Sequence, residues 1–222
     1  MRFYLPSLDD CDDFPPIEDA LDEPNGLLAV GGNLKSKTLV KAYSHGIFPW
    51  YSEQEPLLWW SPNPRMVLFP EKIHISRSFK RDLKKTNYSV HFDRDFKKVI
   101  NQCSKTRKDG LGTWITKEMK KAYTKLYNKG IVHCLEIDID GTLAGGIYGL
   151  ALDNIFYGES MFSTKKNGSK FALYELCQYL IQHNFKILDC QAHSNHLQSM
   201  GAELIPIAEF KQYLPKNRDK PL

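Results

Sequence analysis

The sequence predicts an α+β fold, with a small turn-rich N-terminal domain over residues 1–64 and a mixed-sheet domain over residues 65–222. Three observations predict it. Up to residue 64, Pro and Gly recur in turn-forming groups: Phe14-Pro15-Pro16, Pro24-Asn25-Gly26, Gly31-Gly32, Gly46-Ile47-Phe48-Pro49 and Ser61-Pro62-Asn63-Pro64. After Pro70, apolar residues return at helical spacing over longer stretches. From Val132 the spacing changes to that of strands, with Asp140-Gly141 and Asp153-Asn154 as the turns between them.

The elements follow in order. Thr38–His45 reads as the one helix of the first domain, stopped by Gly46. Ser76–Lys85 reads as a short basic helix with Ser76 as its N-cap. Phe92–Cys103 and Thr116–Asn128 read as amphipathic helices. In the second, Met119, Ala122, Tyr123 and Leu126 form an i, i+3, i+4, i+7 stripe, and Gly130 ends it. Val132–Ile139, Leu143–Leu152 and Ile155–Glu159 read as three antiparallel strands. Ser169–Gln182 is a helix, Lys186–Gln191 a strand and His196–Met200 a short helix before a last segment at 203–214. This order is similar to that of acetyltransferase-like folds.

The chain has 222 residues, enough to bury a core, with 30 Lys+Arg against 26 Asp+Glu. The net charge of +4 hides an uneven distribution. Residues 1–25 carry eight acids and one base, residues 72–85 six bases and one acid, and residues 94–129 eleven bases and three acids. Such patches steer charged partners. No apolar run has the ~20 residues of a membrane span. The acidic, Pro-interrupted N-terminus does not read as a signal or transit peptide. Five widely spaced cysteines without a C-x-x-C suggest a reducing compartment, the cytoplasm, and no disulfide scaffold or zinc ribbon.

Several groups could carry chemistry. Glu159 lies between Gly158 and Ser160 where a predicted strand ends, as a pocket carboxylate or as a turn carboxylate. Strand alternation would place Asp189 and Gln191 on one face and Cys190 on the other, so that Gln could donate while Asp accepts. Cys190-x-x-His193-x-x-His196 has no standard metal spacing, and no metal site is expected. Ser160 and Cys190 lack the surroundings of a nucleophile. The loop 165–170 precedes a helix and half-resembles a pyrophosphate loop, but Lys170 fills a position that needs a small residue. Arg77, Lys80, Arg81 and Lys84 line one helical face, either solvated or set against the backbone of an RNA. Trp50, Trp59, Trp60 and Trp114 could stack on a base or fill a core.

Taken together, seven collinear segments closely resemble the bacterial leucyl/phenylalanyl-tRNA–protein transferases. They are Pro24–Leu34, Gly46–Trp50, Trp59–Arg65, His74–Ser78, Gly112–Thr116, Gly158–Ser163 and Leu188–Gln191. The resemblance implies an acetyltransferase-like (GNAT-type) catalytic domain that uses neither cofactor nor metal. It implies transfer of Leu, Phe or Met from aminoacyl-tRNA to proteins that begin with Arg or Lys, which marks them for N-end-rule degradation. By resemblance, Gln191 orients the reacting groups, Asp189 supports it or accepts charge, and Glu159 holds the aminoacyl α-amino group. Ile147, Phe156, Met161, Leu173, Leu176 and Leu188 would form the side-chain pocket. Trp50 and Trp114 would stack near the terminal adenosine, and Arg77, Arg81 and Lys84 would grip tRNA phosphates. A monomer is expected. An acyl-coenzyme A acetyltransferase and a non-catalytic RNA adaptor are the competing readings.

Overall fold

The first unit built by the sequence is a three-stranded antiparallel sheet. Its strands are β1 (Leu27–Val30), β2 (Phe48–Pro49) and β3 (Leu58–Trp60), in the order β1-β3-β2, and α1 (Ser36–Ser44) lies between the first two in the chain. The computed structural model describes residues 5–9, 13–105 and 114–216. Arg2, Asp10, Cys11 and Asp12 of the acidic segment, Arg107, Lys108 and Asp109 of the basic stretch, and the Gly112-Thr113 pair lie outside the described residues.

The main sheet has seven strands in the order β10-β4-β9-β8-β7-β6-β5. These are β4 (Arg65–Leu68), β5 (Tyr88–Phe92), β6 (Val132–Ile139), β7 (Thr142–Leu152), β8 (Ile155–Ser163), β9 (Ile187–Gln191) and β10 (Glu203–Ile205). All neighbours are antiparallel except β8 and β9, which run parallel and are joined through α5 (Gly168–Gln182). The expected α+β class with one mixed sheet is therefore what the chain forms. The other helices are α2 (Arg77–Lys85), α3 (Phe96–Cys103), α4 (Lys117–Tyr127), α6 (Asn195–Ser199) and α7 (Ile207–Phe210). Ser76 caps α2 as expected, accepting the Phe79 amide.

Strand alternation sorts the core into two layers. On one face Cys134, Tyr148, Leu150 and Tyr157 pack with Tyr43 of α1, Val99 of α3 and the Met119, Ala122, Tyr123, Leu126 stripe of α4. On the other, Leu135, Ile137, Ile147 and Leu188 pack with Phe79 of α2 and Phe171, Leu173 and Leu176 of α5.

The structure corrects three readings. The predicted helix Phe92–Cys103 is a strand plus a shorter helix: β5 ends at Phe92, Asp93 turns the chain at φ 51°, and Asp95 caps α3. β8 does not stop at Glu159 but runs to Ser163. The short strands β1 to β4 and β10 were hidden among the turns.

Candidate active site

Two irregularities in the sheet create the site. Between β7 and β8, Tyr148 pairs with Ser160 and Gly149 with Gly158, so Glu159 is the extra residue of a bulge. Gly149 is needed there, because a Cβ on it would stand 2.1 Å from the Tyr157 carbonyl oxygen. Between β4 and β9, Met66 pairs with Gln191 and Val67 with Asp189, so Cys190 is the extra residue. Gln191 takes a φ of 65°, in the left-handed region. This overturns the simple alternation expected for 189–191: Cys190 and Gln191 face the cavity described below, and Asp189 is not on its wall.

The parallel strands β8 and β9 pair only from Ile155/Ile187 to Tyr157/Asp189. Beyond that point β8 continues and the two strands no longer pair. A cavity of about 360 Å³ opens there. Its apolar wall is Ile147, Met161, Leu173 and Leu188, its polar wall Glu159, Ser160 and Gln191, and Trp50 and Trp114 also line it. Phe156 and Leu176, expected in the same pocket, are buried elsewhere: they line a separate cavity of about 120 Å³ with Phe92, Tyr179 and Phe185. Phe156 is still in the paired part of β8, opposite Leu188, and Leu176 sits one helical turn beyond Leu173.

Glu159 is 8% exposed and is held on both oxygens. Tyr43 donates to Oε1 at 2.6 Å, Gln191 Nε2 to Oε1 at 2.9 Å and Tyr123 to Oε2 at 2.8 Å. Burial pushes its carboxyl up to about 7, against the lowering effect of these donors and with a further upward push from Asp189. The two phenols are driven well above their ordinary range, by burial first and by the charge of Glu159 second.

Asp189 and Arg65 are both 0% exposed and form a two-pronged pair, Nε to Oδ1 at 2.8 Å and Nη2 to Oδ2 at 2.6 Å. The guanidinium also lies over the rings of Phe48 and Phe210, 4.9 and 4.7 Å from their centroids. Asp189 Oδ1 accepts the Gln191 amide at 2.9 Å and so holds Gln191 in its unusual backbone conformation. Arg65, Tyr43 and Tyr123 are the residues that the sequence reading missed. Arg65 carried a signal: a cation at the head of the apolar strand Arg65–Leu68 must find a counterion if it is buried. The sequence shows Tyr123 only as part of a core stripe and holds no signal for Tyr43.

The remaining candidates separate clearly. Arg77, Arg81 and Lys84 are exposed on α2. Trp50 is exposed and packs beside Trp60, while Trp59 is a core residue whose Nε1 donates to Gly31. The 165–170 loop is tied to its neighbours: Lys165 Nζ donates to Ile139, and Asn167 donates to Asp82 of α2. Gly168 lies against Ala144, where a Cβ would come within 2.0 Å of a carbonyl oxygen. The Cys190 thiol is pushed far up by burial, away from the thiolate form. His193 pairs with Gln198, and among the described residues no group of three or more His, Cys, Asp or Glu could hold a metal. Among them, too, no helix is long and apolar enough to cross a membrane.

The chain is similar to known proteins over most of its length. Residues 67–215 match the leucyl/phenylalanyl-tRNA protein transferase family, and residues 32–63 match the N-terminal domain of that family. The leucyl/phenylalanyl-tRNA–protein transferase of Azotobacter vinelandii is 50% identical over 208 residues, 94% of this chain and 92% of that protein. The protein of the same name from Pseudomonas aeruginosa is 48% identical over 209 residues, with the same coverage. Among solved structures, a GCN5-related N-acetyltransferase from Kribbella flavida aligns with a TM-score of 0.38 at 10% identity, over 73% of this chain and 58% of that one.

Proposed function

From the premise that the chain belongs to the leucyl/phenylalanyl-tRNA protein transferase family, and is an aminoacyltransferase that moves Leu or Phe from aminoacyl-tRNA to protein N-termini, we propose how its cavity performs that transfer. The reaction is aminolysis of an ester. A neutral amine attacks the ester carbonyl, and the tRNA 3′-end oxygen leaves. The ester is already activated, so alignment and hydrogen bonding supply most of what is needed.

Glu159 holds the α-amino group of the aminoacyl ester. Ile147, Met161, Leu173 and Leu188 receive its side chain, and Met161 adapts to Leu, Phe or Met. Trp50 and Trp114 flank the terminal adenosine. Gln191 orients the reacting groups, while Asp189, with both oxygens committed to Arg65 and one also to the Gln191 amide, acts as a positioning residue. Arg77, Arg81 and Lys84 grip phosphates of the acceptor stem. The acceptors begin with Arg or Lys, and the product is an N-end-rule degradation signal. Residues 1–64 bring Tyr43 and Trp50 to a catalytic domain formed by 65–222, and the enzyme acts in the cytoplasm as a monomer.

The observation that carries this reading is that one cavity is lined by an apolar surface, by Glu159 and Gln191 hydrogen-bonded to each other, and by two tryptophans. The test incubates the protein with labelled Phe-tRNA and peptides that begin with Arg or with Ala. Label on the Arg peptide alone is expected. A folded preparation that labels neither peptide, or both equally, would refute the reading.

A further inference from the structure

Four oxygens from three residues meet beside the cavity. Tyr43 Oη lies 2.6 Å from Glu159 Oε1 and 2.5 Å from Tyr123 Oη, and Tyr123 Oη lies 2.8 Å from Glu159 Oε2. Each contact is close enough to be an O–H···O hydrogen bond, and oxygens so near each other need a proton between them. The two phenols bring one proton each. With Glu159 ionised, both protons point at the carboxylate, and the contact between the tyrosines is left with lone pairs facing each other. With a proton on Glu159 Oε2 the ring closes in one direction: Glu159 donates to Tyr123, Tyr123 to Tyr43, and Tyr43 to Oε1. The geometry therefore has a place for three protons, and the phenols fill two.

We propose that this ring is the proton acceptor of the transfer reaction, with Glu159 taking up the proton that the acceptor's α-amine sheds and Tyr43 and Tyr123 acting as positioning residues. The proposal rests on the reading that Glu159 holds the aminoacyl α-amino group. As the acceptor nitrogen bonds to the carbonyl carbon, its proton passes to the aminoacyl amino group, which hands one of its own to Glu159. When the bond to the ribose 3′-oxygen breaks, Glu159 gives the proton back to the aminoacyl amino group, which passes one of its own to that oxygen. Glu159 is then ionised again, and no further reactant enters.

The surroundings suit this exchange. The charge of Asp189 on β9 opposes ionisation of Glu159, while Arg65 of β4 balances Asp189. Tyr148 of β7 feels the same carboxylate, and its buried hydroxyl has no hydrogen-bond partner among the described residues. Tyr157 of β8 packs edge-on against Tyr43, and Cys103 of α3 lies close to Tyr148 and Ser160. Burial brings the Glu159 carboxyl to about 7, against the pull of its hydrogen-bond donors, so both proton counts are reached near neutral pH.

The test is single-turnover transfer from Phe-tRNA to an Arg-starting peptide across neutral pH, for the wild type, Glu159→Gln, Tyr43→Phe and Tyr123→Phe, with a melting curve for each. The wild-type rate should rise with pH through about 7, as Glu159 becomes able to accept. Glu159→Gln should lose roughly 100-fold or more in rate, and its profile should lose that limb. Each Tyr→Phe change removes a donor that favours the ionised carboxylate. The limb should therefore move to higher pH, with a rate at neutral pH roughly tenfold lower and KM for Phe-tRNA little changed. A limb that stays in place in both tyrosine variants overturns the proposal, and decides the matter should Glu159→Gln fail to fold. A Glu159→Gln enzyme with raised KM but an unchanged turnover rate would also overturn it, while leaving Glu159 as the residue that holds the amino group. A Glu159→Gln enzyme altered in neither quantity would remove Glu159 from the site altogether.

Discussion

Replacing Arg65 with Met tests whether the buried ion pair holds the site in shape. Arg65 and Asp189 have no exposure at all, and two hydrogen bonds of 2.8 and 2.6 Å join them. Removing one partner strands the other charge in the core, which costs about 3–5 kcal/mol. For a chain of this size each kcal/mol lowers the melting temperature by about 2–4 °C, so a fall of roughly 6–20 °C is expected. The double variant Arg65→Met/Asp189→Leu removes both charges and keeps apolar volume, so most of the loss should return. It still lacks the Asp189 Oδ1 acceptor of the Gln191 amide, at about 1 kcal/mol. Urea unfolding of the two single variants and the double gives the coupling energy, and transfer assays on the same preparations report on the site. The double variant should fold nearly as well as the wild type while its activity stays low, because Gln191 has lost its anchor. An Arg65→Met protein within about 1 kcal/mol of the wild type would refute the argument, as would a double variant whose losses simply add.

Two other perturbations address different parts of the molecule. Gly149→Ala should cost about 1–3 kcal/mol and depress transfer, since its Cβ would meet the Tyr157 carbonyl at 2.1 Å and disturb the bulge that presents Glu159. An unchanged urea midpoint with unchanged turnover would show that the bulge has room to spare. Arg77→Ala with Arg81→Ala should weaken tRNA binding and flatten the plot of log affinity against log salt by roughly two units of slope, about 0.9 for each lost phosphate contact. Filter binding over a salt series measures this, and equal slopes would mean that α2 meets only solvent.

The fold was legible where one period ran long enough. The α4 stripe and the strands β6 and β7 were readable because eight or more residues repeat one pattern. The strands β2, β3 and β10 have two or three residues each, too short for any period to show. β5 was lost because Phe92 could be read as the first apolar residue of a helix, when it is the last residue of a strand. At the site, Glu159 and Gln191 stood out as polar residues in apolar strands. The direction of Asp189 did not, since a bulge and a left-handed residue reverse the alternation that would predict it. Tyr43 reaches Glu159 and Arg65 reaches Asp189 across 116 and 124 positions, a distance over which local pattern carries no information.

Those long separations have a consequence for the newly made enzyme. Tyr43, Arg65 and Tyr123 leave the ribosome well before Glu159, Asp189 and Gln191, and β4 must wait for β9 and β10 before it has a neighbour on either side. Closing such large loops is the slow, late part of folding. A nascent chain or a fragment that stops short of Gln191 contains most of the residues around the cavity and yet cannot assemble it. Transfer activity therefore begins only once Gln191 has emerged, and a copy terminated before that residue is silent rather than partly active.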